Sequence, residues 1–325
     1  MRIGKISENT LKRSVLKNIY TTGNRLMHGA SPRDNCAVFS YGDEFALAST
    51  HQVLLLNGED SLRYSILRGV NNIYAQGGKP EAVQLALLLP EETEEPELAN
   101  LMKAAAKTAK ELGVSVSGGS TKTDRRVKEP VISVTVIGSR KDKDLPEVEA
   151  DWDILLSRPV ALSGTAILAK EKEEELKKRY PFRYIGEAKT FDRDLALLPE
   201  AATAMKSSPC RMFSVTEGGI FGCLWEAARI AGVGLEIELK KIPIRQETIE
   251  ICDFLGINPY ELMSDGTMLI MTPDGEGYRD ALSKEGIEAV LIGTTKANND
   301  KIIVNDDEVR YIDKPAADSI YILFE

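Results

Sequence analysis

Three short stretches of the 325-residue chain carry residue types at spacings that suit contact with an anion or a cation rather than a packed core. In Val70-Asn-Asn-Ile-Tyr-Ala-Gln-Gly-Gly-Lys-Pro80, two adjacent amides, Asn71 and Asn72, interrupt an apolar helical pattern just before a Gly-Gly stop. Asn competes for backbone hydrogen bonds inside a helix, so the pair serves either a neighbouring loop or a ligand. In Gly118-Gly119-Ser120-Thr121-Lys122 an apolar stretch runs into glycines and hydroxyls. That composition lets backbone N–H groups approach an anion, although Gly-Gly turns also arise for local reasons. In Thr216-Glu217-Gly218-Gly219, Thr216 is the candidate cap and the glycines leave bare N–H groups at a helix N-terminus, where the macrodipole favours negative charge. The competing reading is a cap with glycines for close packing. Polar residues also flank a predicted hairpin, Asp34 and Asn35 before one strand and Thr50 and His51 closing the next, and those ends are neighbours in an antiparallel pair.

The elements that must position these groups follow from periodicity. Leu62, Ile66, Val70 and Ile73 recur at helical spacing, which predicts a helix from about 58 to 76 ended by Gly77 and Gly78. A lead-in helix is expected within residues 1–30, with Leu11, Val15, Leu16 and Ile19 as its stripe. Strands are predicted at 36–40, 45–50, 82–89, 114–117 and 131–137, and a helix at 94–112. The charged segment 140–151 reads as a linker, dividing the chain into domains at 1–145 and 146–325. Beyond it, strands are predicted at 154–157, 235–239, 267–271 and 289–292 and helices at 163–168, 192–205, after Gly219, 245–255 and 277–284, with a terminal hairpin around Asn305.

A formal charge of −9 with no sustained basic stretch argues against a nucleic-acid surface. Lys170 to Arg179 interleaves acids and bases one turn apart, the mark of a solvated helix face. Cys36, Cys210, Cys223 and Cys252 are far apart and only His28 and His51 are available to join them, which disfavours zinc. With no apolar run of membrane length and no leader pattern, a soluble cytoplasmic protein with reduced thiols is expected, with neither nucleic acid nor membrane as partner.

The order of motifs resembles the PurM-like superfamily, which includes aminoimidazole ribonucleotide (AIR) synthetase, HypE, selenophosphate synthetase and thiamine-monophosphate kinase. The resemblance runs through Ile3-Gly-Lys, Asp34-Asn-Cys-Ala-Val, Val70-Asn-Asn-Ile, Gly118-Gly-Ser-Thr, Gly164-Thr-Ala, Thr216-Glu-Gly-Gly, Ile242-Pro-Ile and Ile292-Gly, and is nearest to the AIR-synthase-related, HypE-like proteins. It implies a two-domain α+β chain: an N-terminal α/β domain with a dimer-forming β-sheet, and a C-terminal α+β domain. It also implies a homodimer, a small-molecule or nucleotide ligand, and ATP with magnesium held by several carboxylates.

Carried across position by position, the glycines remain and most acids do not. Asp34 matches the first acid of a family pair whose second is Asn35 here; His51 and Asn72 stand at positions of family aspartates. Ser120 and Lys122 replace acidic or histidine positions, and Phe213-Ser214 replaces His-Asp. Asp34 and Glu217 are thus the implied catalytic and metal residues, and Asn71, Asn72, His51, Gly118 to Lys122, Gly218 and Gly219 the implied nucleotide contacts. Two readings stay open: an ATP-dependent enzyme that activates an oxygen on a small substrate, and a non-catalytic descendant that binds a nucleotide or other anion or acts as a scaffold. HypE chemistry needs a C-terminal cysteine; the chain ends Tyr321-Ile-Leu-Phe-Glu325, so that particular route is not expected.

Overall fold

The computed structural model describes residues 3–31, 36–141, 145–204, 206 and 209–325. It divides into two compact units, Tyr20–Asp144 and Met1–Ile19 with Leu145–Glu325, so the first residues pack with the later part of the chain rather than with the sheet that follows them. The lead-in is one α-turn, α1 (Glu8–Thr10), which widens into a π-turn over Leu11–Val15 and ends in a 3-10 turn at Leu16–Asn18. None of these residues is buried, and Val15 and Ile19 are each 41% exposed. The expected stripe fails because the Leu16 N–H bonds back to Leu11, a five-residue step that dephases a 3.6-residue pattern.

The Tyr20–Asp144 unit holds β1 (Leu26–His28), β2 (Ala37–Tyr41), β3 (Glu44–His51), α2 (Gly58–Ala75), β4 (Lys79–Leu89), α3 (Glu95–Glu111), β5 (Ser115–Thr123) and β6 (Val131–Arg140). Its six strands run in the order β1-β2-β3-β6-β4-β5, antiparallel except for β4 with β5. Strand β1 was not expected; at three residues it is too short to show an alternation. Helix α2 packs on β3, β6 and β4, while α3 packs on α2 and β5. The predicted stripe Leu62, Ile66, Val70 and Ile73 is fully buried, as are Leu47, Val83, Val134 and Val136 on the strands that α2 covers. Such side chains each contribute about 1.5–3 kcal/mol by leaving water.

Two glycines set how closely α2 approaches. A Cβ at Gly69 would lie 2.3 Å from Val136 Cγ2, and one at Gly138 would lie 2.7 Å from Ile73 Cγ2. The helix ends as predicted: Gly77 takes a left-handed φ of +66°, and the Gly78 N–H reaches back to Ile73 O at 3.0 Å.

The segment read as a loop after residue 117 is instead strand to Thr123, because β5 follows β4 in parallel register as far as Leu89. Only glycine fits the turn of this ladder: Gly118 and Gly119 have φ of +145° and +152°, and a Cβ at Gly119 would sit 1.8 Å from Leu85 O.

The second unit contains β7 (Asp153–Leu156), α4 (Leu162–Glu171), α5 (Glu173–Leu176), α6 (Phe182–Ala188), α7 (Leu198–Ala204), β8 (Arg211–Ser214), α8 (Gly219–Ala231) and β9 (Gly234–Glu238). It continues through α9 (Gln246–Leu255), β10 (Met268–Thr272), α10 (Gly275–Lys284), β11 (Val290–Lys296), β12 (Lys301–Asn305) and β13 (Glu308–Tyr311), and closes in a 3-10 helix at Ser319–Phe324. Seven strands run β13-β12-β9-β11-β7-β10-β8 over a core that includes Ile154, Leu156, Ile220, Leu224, Leu235 and Leu269. The helix expected over 192–205 is confined to α7. Arg158 donates to the carbonyls of Asp194 at 2.7 Å and Ala196 at 3.2 Å and to the buried Glu200 carboxylate at 2.7 Å, which holds 192–197 as a loop.

Gly69→Ala is expected to destabilise by about 1–3 kcal/mol, since its methyl overpacks a fully buried contact. Gly186→Ala, in α6 with nothing within 4 Å of its Cβ position, is expected to stabilise by about 0.5–1 kcal/mol. Paired urea unfolding curves check both, and an unchanged Gly69→Ala midpoint would contradict the close approach of α2.

Candidate functional site

Strand β3 alternates Leu47, Ser49 and His51 onto the face covered by α2, and the late turns of α2 set Asn72 above them. Asn72 Nδ2 lies 3.0 Å from His51 Nε2, Ser49 Oγ lies 2.7 Å from the same nitrogen, and Asn72 Nδ2 is 3.5 Å from Ser49 Oγ. Ser49 and Asn72 are buried, at 1% and 3% exposure, and Asn71 is fully buried. The His51 ring edge also lies 3.4 Å from where a Gly69 Cβ would be. Asn72 therefore answers to strand side chains, not to a loop. With the amide nitrogen donating, His51 Nε2 is the acceptor and its lone pair points into the protein.

Gly118, Gly119, Ser120, Thr121 and Lys122 lie exposed along the edge strand β5. His51 pairs with Val134, Val134 with Leu85 and Leu85 with Gly119, which puts His51 and Gly119 on one cross-sheet row. Three strand spacings separate them, about 14 Å. Thr121 and Lys122 edge a shallow hollow of about 530 Å³ shared with Leu89, Thr93, Glu94 and Leu98. Among the described residues Lys122 forms no ion pair.

The Thr216–Gly219 loop belongs to the second unit. Thr216 is not the cap: its carbonyl accepts the Gly219 N–H at 3.2 Å and the Ser264 N–H at 3.2 Å, and α8 begins on Gly218, whose φ is +87°. Capping comes from Asp318, whose Oδ2 accepts the Gly218 N–H at 2.5 Å. Its Oδ1 accepts from Met263 N at 3.2 Å and Ile320 N at 2.8 Å. Burial drives the Asp318 carboxyl up to about 7, and the Glu217 charge adds to the rise while the three N–H groups oppose it. Glu217 Oε1 accepts from Tyr321 O–H at 2.9 Å. A Cβ at Gly219 would lie 2.4 Å from Tyr260 O, so this glycine also serves close packing.

Asp265, fully buried and receiving the Ser163 hydroxyl at 3.3 Å, and Asp318 both escaped sequence reasoning. Ser163 is 102 residues from Asp265, and Gly218 and Met263 are 100 and 55 residues from Asp318, so local sequence showed only the Asp318 cap on Ile320 and the acid in Ser264-Asp-Gly.

Asp34 and Asn35 lie outside the described residues. Among the described residues no three of His, Cys, Asp and Glu converge as a metal site. The positions implied to hold magnesium carry an amide and an imidazole bonded to each other, and Glu217 is engaged by Tyr321. A hard cation wants several carboxylate oxygens; of the implied metal residues Asp34 lies outside the described residues, Glu217 supplies one carboxylate, and His51 and Asn72 supply none. No described helix is long and apolar enough to cross a membrane.

Comparison with known proteins agrees with the architecture. The family model for the AIR synthase related protein N-terminal domain matches residues 33–139, and that for its C-terminal domain matches residues 153–305. A Methanocaldococcus jannaschii protein named for hydrogenase expression and formation is 28% identical, over 98% of this chain and 96% of its own. The structure of HypE in a HypE–HypF complex superposes with a TM-score of 0.72 at 21% identity, covering 87% of this chain and 93% of that one. HypE in complex with ATP gives 0.66 at 17% identity, covering 98% and 97%. With both domain models matched in order across most of its length, the chain belongs to the AIR synthase related family of the PurM-like superfamily.

Proposed function

We propose that this protein binds ATP, or a polyphosphate of the same charge class, without a full magnesium cage. The observation that carries this reading is the neutral Ser49–His51–Asn72 network on the same cross-sheet row and face as Gly119; Lys122, which forms no ion pair among the described residues, lies three residues further along the edge strand β5 with its side chain on the opposite face. The glycines offer close backbone approach and Lys122 offers the positive charge that a polyphosphate otherwise takes from its cation. A relative of the same fold is known in complex with ATP, which supports the choice of ligand.

The reading makes the protein a non-catalytic or weakly catalytic descendant within a HypE-like family. Two features support a second reading, ATP-dependent activation of an oxygen on a small substrate: Glu217 is retained, and a tyrosine hydroxyl orients it. In both readings the protein is a cytoplasmic homodimer. Among the described residues α2 and α3 of the Tyr20–Asp144 unit pack on one face of its sheet, and Ala86 and Ala48 on the other are small enough for a second sheet to approach. Cys36, Cys210 and Cys252 are buried thiols with no disulfide, as a reducing compartment allows.

Isothermal titration with a non-hydrolysable ATP analogue is expected to give the same affinity in magnesium as in EDTA. Lys122→Ala should weaken binding about tenfold to a hundredfold, since a hydrogen bond to a charged group is worth about 1.5–3 kcal/mol. Binding that requires magnesium, or no binding at all, would overturn the reading.

Restoring acids tests the placement. His51→Asp with Asn72→Asp, checked for folding by circular dichroism, is expected to make analogue binding magnesium-dependent by about tenfold or more. An unchanged metal requirement would mean that these two residues do not face the phosphates.

A further inference from the structure

The segment after β13 has a feature that the ATP reading does not use. From Lys314 to Ala317 it is a thin run, Lys-Pro-Ala-Ala, crossing the first turn of α8, with Pro315 Cβ 3.9 Å from the Cβ position of Gly222. It is hollow on both sides. A cavity of about 220 Å³ lies between it and Phe221, Gly222 and Arg310, and one of about 340 Å³ lies between it and Ile3, Ile6 and Thr10. Pro315, Ala316 and Ala317 line both.

What holds this run down is therefore its far end. Asp318 ties together three backbone N–H groups from separate places, Gly218 before α8, Met263 before β10 and Ile320 in the terminal 3-10 helix. Tyr321 donates to Glu217, its ring lies against Gly4, and Ile320 and Leu323 are buried at 3% and 9% exposure.

We propose that residues 313–325 form a displaceable strap that masks the Thr216–Gly219 loop, with Asp318 as its clasp and Tyr321 covering Glu217. When docked, the strap occupies the Gly218 amide and the Glu217 carboxylate at once; when lifted, it exposes both. It lifts as a unit because its middle has little packing to lose, while its end is held jointly by the Asp318 carboxyl, the Tyr321–Glu217 bond and the buried Ile320 and Leu323.

The clasp responds to protons. The charged group that acts on it is Glu217 on the masked loop; Glu261, Arg310, Asp313 and Lys314 line the cavity beside the strap. Of these Glu217 pushes the Asp318 carboxyl up, in addition to burial. Docked, the carboxyl titrates near 7; lifted into water it returns to 3.8. Between those values the docked strap holds a proton that the lifted strap lacks, so docking is strongest at low pH and weakens as pH rises through about 7.

Amide hydrogen exchange on the full chain, corrected for intrinsic rates, tests this. In the wild type, Gly218, Met263 and Ile320 should open together ahead of global unfolding, and their opening equilibrium should rise about a hundredfold from pH 5 to pH 7.5, one decade per pH unit up to about 7. Asp318→Asn keeps one acceptor oxygen, for Met263 and Ile320, and puts an amide donor opposite the Gly218 N–H; it should raise opening at low pH and abolish the pH dependence. Tyr321→Phe should raise opening severalfold at every pH with the pH dependence retained. Exchange of these amides only through global unfolding, or the same pH dependence in Asp318→Asn, would overturn the strap. Neither outcome depends on ATP, so a failure of analogue binding alone leaves the strap standing and sinks only the ligand reading.

Discussion

The distance between α2 and the sheet beneath it governs the first unit. Where Gly69 and Gly138 omit side chains, the helix descends until Val136 and Ile73 fill the gap, and every polar group on its inner face is carried out of water. A buried amide without a partner costs about 1–3 kcal/mol, so Asn72 at this depth must find one. Ser49 and His51, two residues apart on β3 and therefore on the same face, are what lies within reach. The close approach and the polar network are thus one feature: a bulkier residue at position 69 would lift the helix and part the amide from the imidazole together.

The second unit solves a similar problem with charge. Two successive left-handed glycines start α8 with no side chain to cap it, and the chain brings back a carboxylate from a hundred residues away to accept the Gly218 N–H. The helix start favours that negative charge. Burial to 3% exposure opposes it, and Glu217 next door opposes it further. The balance leaves Asp318 near the middle of the physiological range, which no exposed aspartate reaches.

What could be read from the sequence was whatever is local. The helix over Gly58–Ala75, its Gly77-Gly78 ending, and the alternation that makes Val131–Arg140 a strand all follow from side-chain period and glycine geometry. Pairing was not local. The stretch Gly118–Thr123 has the composition of a loop and becomes a strand because β4 is there to pair with it, while 192–197 lies in a helical pattern and is held open by Arg158. For the candidate site, the position of Asn72 was suspicious from its type alone, but its partner His51 is 21 residues away and its geometry needed the fold. Asp318 was invisible, since a lone Asp followed by Ser carries no sign that it will be buried at a distant glycine.

An amide and an imidazole, where the family resemblance implies acids, set what this pair requires of its surroundings. Two carboxylates about 4 Å apart repel by about 4 kcal/mol at an effective dielectric of 20, a cost that a bound cation normally cancels. An arrangement built on acids is therefore strained when empty and relaxed only by metal. An amide bonded to an imidazole has no such debt: it is satisfied by its own partners whether or not anything else is bound. The positive charge on Lys122 sits at the exposed edge of the sheet, more than three strand spacings from His51, where solvent already stabilises it and an arriving anion need only displace water. The His51–Asn72 pair thus needs no ion to be satisfied, and the glycine-lined strand beside Leu85 takes a shape dictated by that residue's backbone.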